Sequence, residues 1–182
     1  FNQYNTYQDE STRLKIAKKF IEAKFEKSKV LIEWVKERYG EFKFDIVKEE
    51  KKLKEVTQIK DILIVEAKVA KMYWQIINNI IPKELNFDSR NHADKRPKGA
   101  SDITNCLLNY GYSILEAECL RALNSVGLDS HIGFLHEMQS GKYSLAYDLQ
   151  EPFRFLIDLA VINLIESNTL NNKDFTRTQN YT

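Results

Sequence analysis

The chain has 182 residues, a formal net charge of +1, 29% charged residues, 6 glycines and 3 prolines. That length suffices for one domain with a sizeable core, and the balanced charge excludes a global pull toward nucleic acid or membrane, so any basic patch is local. Scarce glycine and proline suit long uninterrupted helices better than a turn-rich β fold. The longest apolar run is far short of a membrane span, and no signal peptide is visible. The chain opens on Phe1 without an initiator Met, so it reads as a fragment or a processed product.

Residues 1–9 are polar and read as irregular. A helical pattern starts at Asp9 or Ser11, runs through Leu14, Ala17, Ile21, Leu31, Trp34 and Val35, and stops near Gly40. Residues 43–56 read as an exposed amphipathic helix. Residues 58–81 form the most apolar segment, with Ile62, Val65, Val69, Tyr73, Trp74 and Ile77 covering most of the surface; this helix is expected to be central, and Pro82 ends it.

Residues 83–101 form a polar connection that contains Arg90, Lys95, Arg96 and Lys98, long for a compact domain. Asp102 caps a helix to Val126, and Gly127 stops it. Residues 128–143 are irregular, with one turn at 133–138. The last long helix is expected to start between Tyr147 and Glu151 and to run to about Ser167, with Asp148 and Glu151 spaced as a capping box and Pro152 in the first turn. Cys106 and Cys119 share one helix, where a rise of about 1.5 Å per residue sets them roughly 20 Å apart. A disulfide needs Cα atoms within about 7 Å, so reduced thiols and an intracellular home are the expectation.

Some polar residues do not suit their surroundings. Glu66 lies on the apolar face of the most hydrophobic helix, where an ionised carboxylate needs a hydrogen bond, a cation or a metal; a helix-edge position or an ion pair with Lys68 or Lys71 would also explain it. His136 ends an apolar string, where a histidine is usually a hydrogen-bonded core residue. His92 and His131 read as surface residues. Asp148 and Glu151, three residues apart, share one side of a first helical turn, which the helix dipole alone would favour. Arg154, one turn on, could hold a phosphate or merely pair with Glu151. Together these are one imidazole and two or three carboxylates from three segments. Such mixed N/O donors suit Mn²⁺ or Mg²⁺ better than a soft metal. No cysteine cluster, zinc-protease motif, phosphate-binding glycine loop or nucleophile elbow competes.

The runs at 109–118 (NYGYSILEAE), 121–129 (RALNSVGLD), 132–136 (IGFLH) and 144–154 (SLAYDLQEPFR), with Glu66, Ala67, Lys71, Tyr73 and Trp74 ahead of them, carry more information than any single anomaly. In this order and spacing, over roughly residues 10–175, the chain resembles the CRISPR adaptation integrases, the CRISPR-associated endonucleases that insert new spacers. The resemblance implies an all-α catalytic domain of about six to seven helices. It implies that Glu66, His136 and Glu151 bind Mn²⁺ or Mg²⁺, that Asp148 is a neighbouring catalytic acid, and that Arg154 lies near the DNA phosphate. Lys95, Arg96 and Lys98 are further candidate phosphate contacts, though a solvated loop explains them as well.

The implied reaction is metal-dependent transesterification on double-stranded and branched DNA. The implied partners are a second copy of the full-length protein and a small ferredoxin-fold CRISPR adaptation protein, with no membrane. Ala67 stands where the family usually has Gly, and Ser130-His131 where Pro-Tyr often precedes the Ile-Gly-Phe run. Nothing resembles the family's N-terminal β domain. Residues 1–182 are therefore read as a single helical domain of a longer two-domain protein. The competing readings are a non-catalytic helical DNA-binding or assembly module and a related transposon-borne integrase.

Overall fold

Asp9 sets the start of the element around which the others pack: its carboxylate accepts from Ser11 N at 3.2 Å and from the Thr12 hydroxyl at 2.5 Å. The computed structural model describes residues 2–90, 100, 102–167, 169, 174 and 175. In chain order its helices are α1 (Asn2–Gln8), α2 (Glu10–Tyr39), α3 (Val47–Glu55), α4 (Ile59–Ile80), α5 (Ile103–Ser125), α6 (Ser144–Gln150) and α7 (Arg154–Glu166). No strand occurs among the described residues, so the fold is all-α as expected. No helix among them is long and apolar enough to cross a membrane.

Helix α2 is the spine. Ala17, Ile21, Phe25, Ser28, Leu31, Ile32 and Val35 form its buried stripe at helical spacing, Lys36 and Arg38 complement the dipole in its last turn, and Gly40 leaves it at φ +98°. Along this stripe lie three apolar clusters. The C-terminal half of α2 meets α4, α5 and α7 around Val35, Tyr73, Ile77, Leu108 and Ile162. The N-terminal half meets α3 and the start of α4 around Ile21, Phe25, Leu53 and Ile62. The third gathers Cys119, Leu123, Phe134, Leu145 and Ala146, with Phe20 of α2 packed against it. Both cysteines lie on α5 and are free, Cys106 exposed and Cys119 buried.

Four expectations need correction. Residues 2–8 are helical, because Gln3 ties α1 to the loop after α5: its side-chain amide donates to Asp129 O at 2.8 Å and accepts from Asp129 N at 2.9 Å. Helix α4 is one-sided rather than buried all round, with Ile62, Val65 and Val69 inside and Leu63 and Ile64 exposed. Residues 134–136 form bends, not a helical turn. The C-terminal helix is two helices: α6 starts at Ser144, and a 3-10 turn at Glu151–Phe153 containing Pro152 separates it from α7. Asp148 is then inside α6 and is no N-cap, so the capping box does not form. Asp102, by contrast, caps α5 by accepting from Asn105 N at 2.8 Å.

Candidate active site

The loop before α6 is shaped by a glycine and a carboxylate. A Cβ at Gly133 would lie 2.6 Å from His136 O and 2.7 Å from Ser144 Cβ, so only glycine lets the loop fold back against the start of α6. Ser144 Oγ donates to Glu137 O at 2.7 Å, and Leu145 N donates to Ser130 O at 2.9 Å. Asp148, fully buried one turn into α6, receives the returning loop: Oδ2 accepts from Phe134 N at 2.5 Å and Leu135 N at 2.9 Å, and Oδ1 accepts from His136 N at 2.9 Å. The same Oδ1 is 2.7 Å from His136 Nδ1. A carboxylate so placed accepts from Nδ1 and leaves Nε2 as the ring nitrogen open to a metal, the arrangement that second-sphere carboxylates impose on metal-binding histidines. Arg13 of α2 clamps the loop from outside, donating from Nε to Phe134 O at 3.0 Å.

The two glutamates come together on the other side of this loop. Glu66 of α4 and Glu151 of the 3-10 turn both accept from Lys24 of α2, with Nζ 2.5 Å from Glu66 Oε1 and 2.6 Å from Glu151 Oε2. Arg154 Nε donates to the remaining oxygen, Glu151 Oε1, at 3.0 Å. Burial of Glu151, only 7% exposed, pushes its carboxyl pKa upward, but the charges of Lys24 and Arg154 and the hydrogen bond from Lys24 outweigh that and hold it below the ordinary value. Burial likewise works against the Lys24 ammonium, and the pull of Glu151 and Glu66 leaves its pKa above that of a free lysine.

These residues border a cleft of about 320 Å³. Its far wall is a buried polar unit: Asp158 of α7 accepts from Tyr73 of α4 at 2.7 Å and from Tyr112 of α5 at 2.5 Å. Burial and the adjoining carboxylate hold both phenols well above the usual tyrosine pKa; burial raises that of Asp158, against the two hydroxyls and nearby arginines. Over the Tyr112 ring lie two guanidiniums, Arg154 at 4.7 Å and Arg90 at 5.1 Å. Arg90 is fixed by Asn105 Oδ1 at 2.7 Å and Asn109 Oδ1 at 3.0 Å. Lys24, Lys27, Arg90 and Arg154 thus line one cleft with Glu66, Glu151 and Asp158.

The sequence-derived residues therefore fall into two adjoining pairs. Glu66 and Glu151 share one cation, and His136 and Asp148 share one hydrogen bond between their side chains. Among the described residues no three His, Cys, Asp or Glu side chains are gathered closely enough to hold a metal as they stand. The convergence of the two carboxylates on a single positive atom is nevertheless the donor chemistry of a hard cation. The ion-pair partner of Glu66 is Lys24, not Lys68 or Lys71, which are exposed. Ala67 lines the cleft. His131 is on the surface, beside Asp129 and Tyr143. Lys95, Arg96, Lys98 and His92 lie outside the described residues. Sequence reasoning missed Lys24 and Arg90 as site residues. Lys24 did carry a signal, since it is three residues after Ile21 and four before Ser28, on the buried stripe of α2.

The family model for "CRISPR associated protein Cas1" matches residues 1–182. The chain belongs to the Cas1 family. Among Cas1 relatives, it is 44% identical over 115 residues to a CRISPR-associated endonuclease Cas1 of Archaeoglobus fulgidus, covering 62% of this chain and 33% of that protein. It is 31% identical over 175 residues to a Cas1 endonuclease of Thermus thermophilus, covering 95% of this chain and 50% of that one. The chain thus spans half or less of the length of these Cas1 relatives. Among solved structures it superposes with a TM-score of 0.92 on a casposase bound to integration product, at 55% identity over 98% of this chain and 50% of that one. A Cas1 protein from Thermotoga maritima shares the fold with a TM-score of 0.81 at 24% identity, covering 96% of this chain and 54% of that one.

Proposed function

We propose that this Cas1 chain supplies the catalytic centre of a metal-dependent DNA endonuclease and integrase that inserts spacer DNA into a CRISPR array. The observation that carries the reading is the meeting of Glu66 and Glu151 on one cation at the floor of a cleft whose walls bear Arg154 and Arg90. Glu66, Glu151 and Nε2 of His136 are the ligands for Mn²⁺ or Mg²⁺. When bound, the ion supplies Lewis-acid activation of a phosphoryl oxygen and of the attacking hydroxyl.

Asp148 fixes the His136 ring through Nδ1, so that Nε2 is the ring nitrogen left for a metal. Arg154, braced by Glu151 and Tyr112, neutralises charge on the phosphate and holds it for in-line attack. The 3′-hydroxyl of the incoming strand forms the new phosphorus–oxygen bond, the old ester bond breaks, and the proton lost by the nucleophile is balanced on the departing hydroxyl. With water as nucleophile the same centre cleaves. Double-stranded and branched DNA, a second copy of the full-length protein and a small ferredoxin-fold adaptation protein are the proposed partners, in the cell interior.

The first prediction is that Glu66→Ala, His136→Ala and Glu151→Ala each weaken Mn²⁺ binding at least tenfold in a metal titration of the intact protein. Wild-type-like Mn²⁺ affinity in all three variants would sink the site assignment. Survival of DNA binding in EDTA, with no cleavage or joining under any metal, would favour a non-catalytic module instead.

A second reading is favoured by the 55% identity to a casposase bound to integration product, above the 44% to the Archaeoglobus endonuclease. In that reading the centre and its chemistry are the same, and the chain serves a transposon-borne integrase. Strand joining on a CRISPR leader–repeat target against an unrelated target separates the two, as does the presence of a CRISPR array beside the gene.

A further inference from the structure

Lys24 occupies the place between Glu66 and Glu151 that a bound cation would take. Its Nζ is 2.5 and 2.6 Å from one oxygen of each, and the three side chains come from α2, α4 and the 3-10 turn. A divalent ion held by the same two carboxylates would need the space that the ammonium fills. The two positive charges cannot be held there together. The lysine side chain has four flexible bonds and is 20% exposed at the edge of an open cleft, so it has somewhere to go.

We propose that Lys24 is a built-in placeholder for the divalent ion. It closes the carboxylate pair in the metal-free protein, and metal loading is an exchange in which its ammonium leaves. The inference rests on the reading of Glu66 and Glu151 as metal ligands. Its physical basis is charge bookkeeping: two carboxylates with no cation between them repel each other, and a part-buried pair is screened little by solvent. The lysine removes that repulsion at folding, and the ion must then break two charge-assisted hydrogen bonds to enter. Once displaced, Lys24 stands one turn from Lys27 on the same helix, both on the cleft wall. Lys24 is thus a positioning residue in the free protein and a competitor of the ion, not a ligand.

The test is Mn²⁺ binding to the intact protein, read as free Mn²⁺ by electron paramagnetic resonance, for wild type and Lys24→Met. The expected result is binding tighter by about tenfold or more in Lys24→Met, equivalent to roughly 1.4 kcal/mol. A second measurement needs no variant: amine-reactive labelling of Lys24 in wild type, read by mass spectrometry, is expected to rise severalfold on saturation with Mg²⁺. Equal or weaker Mn²⁺ binding by a folded Lys24→Met overturns the proposal; if that variant does not fold, unchanged shielding of Lys24 in Mg²⁺-saturated wild type overturns it. If neither wild type nor Lys24→Met binds Mn²⁺, the ligand assignment itself falls and the placeholder with it.

Discussion

The two oxygens of Asp148 accept from three backbone amides and one imidazole nitrogen, which makes this carboxylate the point on which the His136 loop is hung. A neutral isostere cannot do this, because an amide would point its own N–H groups at donors. Asp148→Asn is therefore expected to weaken Mn²⁺ binding by roughly 10- to 100-fold and to lower stability by about 2–3 kcal/mol. Calorimetric titration alongside thermal melting checks both, and a variant with normal melting and normal Mn²⁺ affinity would remove Asp148 from its orienting role. Much at this scale was legible in the sequence. Glu66 and His136 stood out as polar residues in apolar company; Glu66 lines the cleft beside Lys24, and His136 is bonded to Asp148. Lys24 broke the same rule on α2 without being singled out, since a lysine among many lysines draws less notice than a carboxylate inside a hydrophobic run. Arg90 gave no such sign, because its role is set by Asn105, Asn109 and Tyr112, contacts that no sequence spacing implies.

Helix starts and stops were readable where the chemistry is local. Asp9, Gly40, Asp102 and Gly127 act on amides or dihedrals within a few residues of themselves, and all four mark real boundaries. The Asp148–Glu151 spacing misled because both side chains turn to distant partners, one to the loop 134–136 and the other to Lys24. The short α1 was invisible because its sequence lacks apolar periodicity and Gln3 anchors it through tertiary hydrogen bonds. Packing between helices supplies a test of its own. A Cβ on Gly111 of α5 would sit 2.3 Å from Ile157 Cγ2 of α7, so these helices meet at a point with no room for a methyl group. Gly111→Ala is expected to cost about 1–3 kcal/mol in denaturant unfolding despite alanine's better helix propensity. Adding Ile157→Ala removes the obstructing atom, so the double variant should lose less than the sum of the two single losses; strict additivity would show that the contact is not the cause.

Across the whole molecule, the buried Tyr73–Asp158–Tyr112 unit joins α4, α7 and α5 beside the cleft. Both phenols are held above the ordinary tyrosine value, so their contribution is complete below about pH 10 and is lost as pH rises from there toward their folded values. Stability should fall between about pH 10 and 11 with a slope approaching 1.4 kcal/mol per pH unit for each tyrosine. The Tyr73→Phe/Tyr112→Phe double variant should show a flatter slope over that range in pH-dependent melting. An unchanged slope would mean that the alkaline loss arises elsewhere. The all-α architecture itself was legible from composition and periodicity, whereas the layering of three clusters along α2 was not, because it depends on which residues far apart in the chain meet.

Lys24 is 42 positions from Glu66 and 127 from Glu151. No partial chain that stops short of Glu151 contains the corners of this centre, and no local segment can assemble them in advance. A chain still on the ribosome therefore lacks this cluster until the segment beyond α6 has been made, and a proteolytic cut anywhere between α2 and α7 that lets the pieces separate takes it apart again. The meeting of Glu66 and Glu151 on Lys24 comes into being with the closing of the fold and goes out of being with its loss.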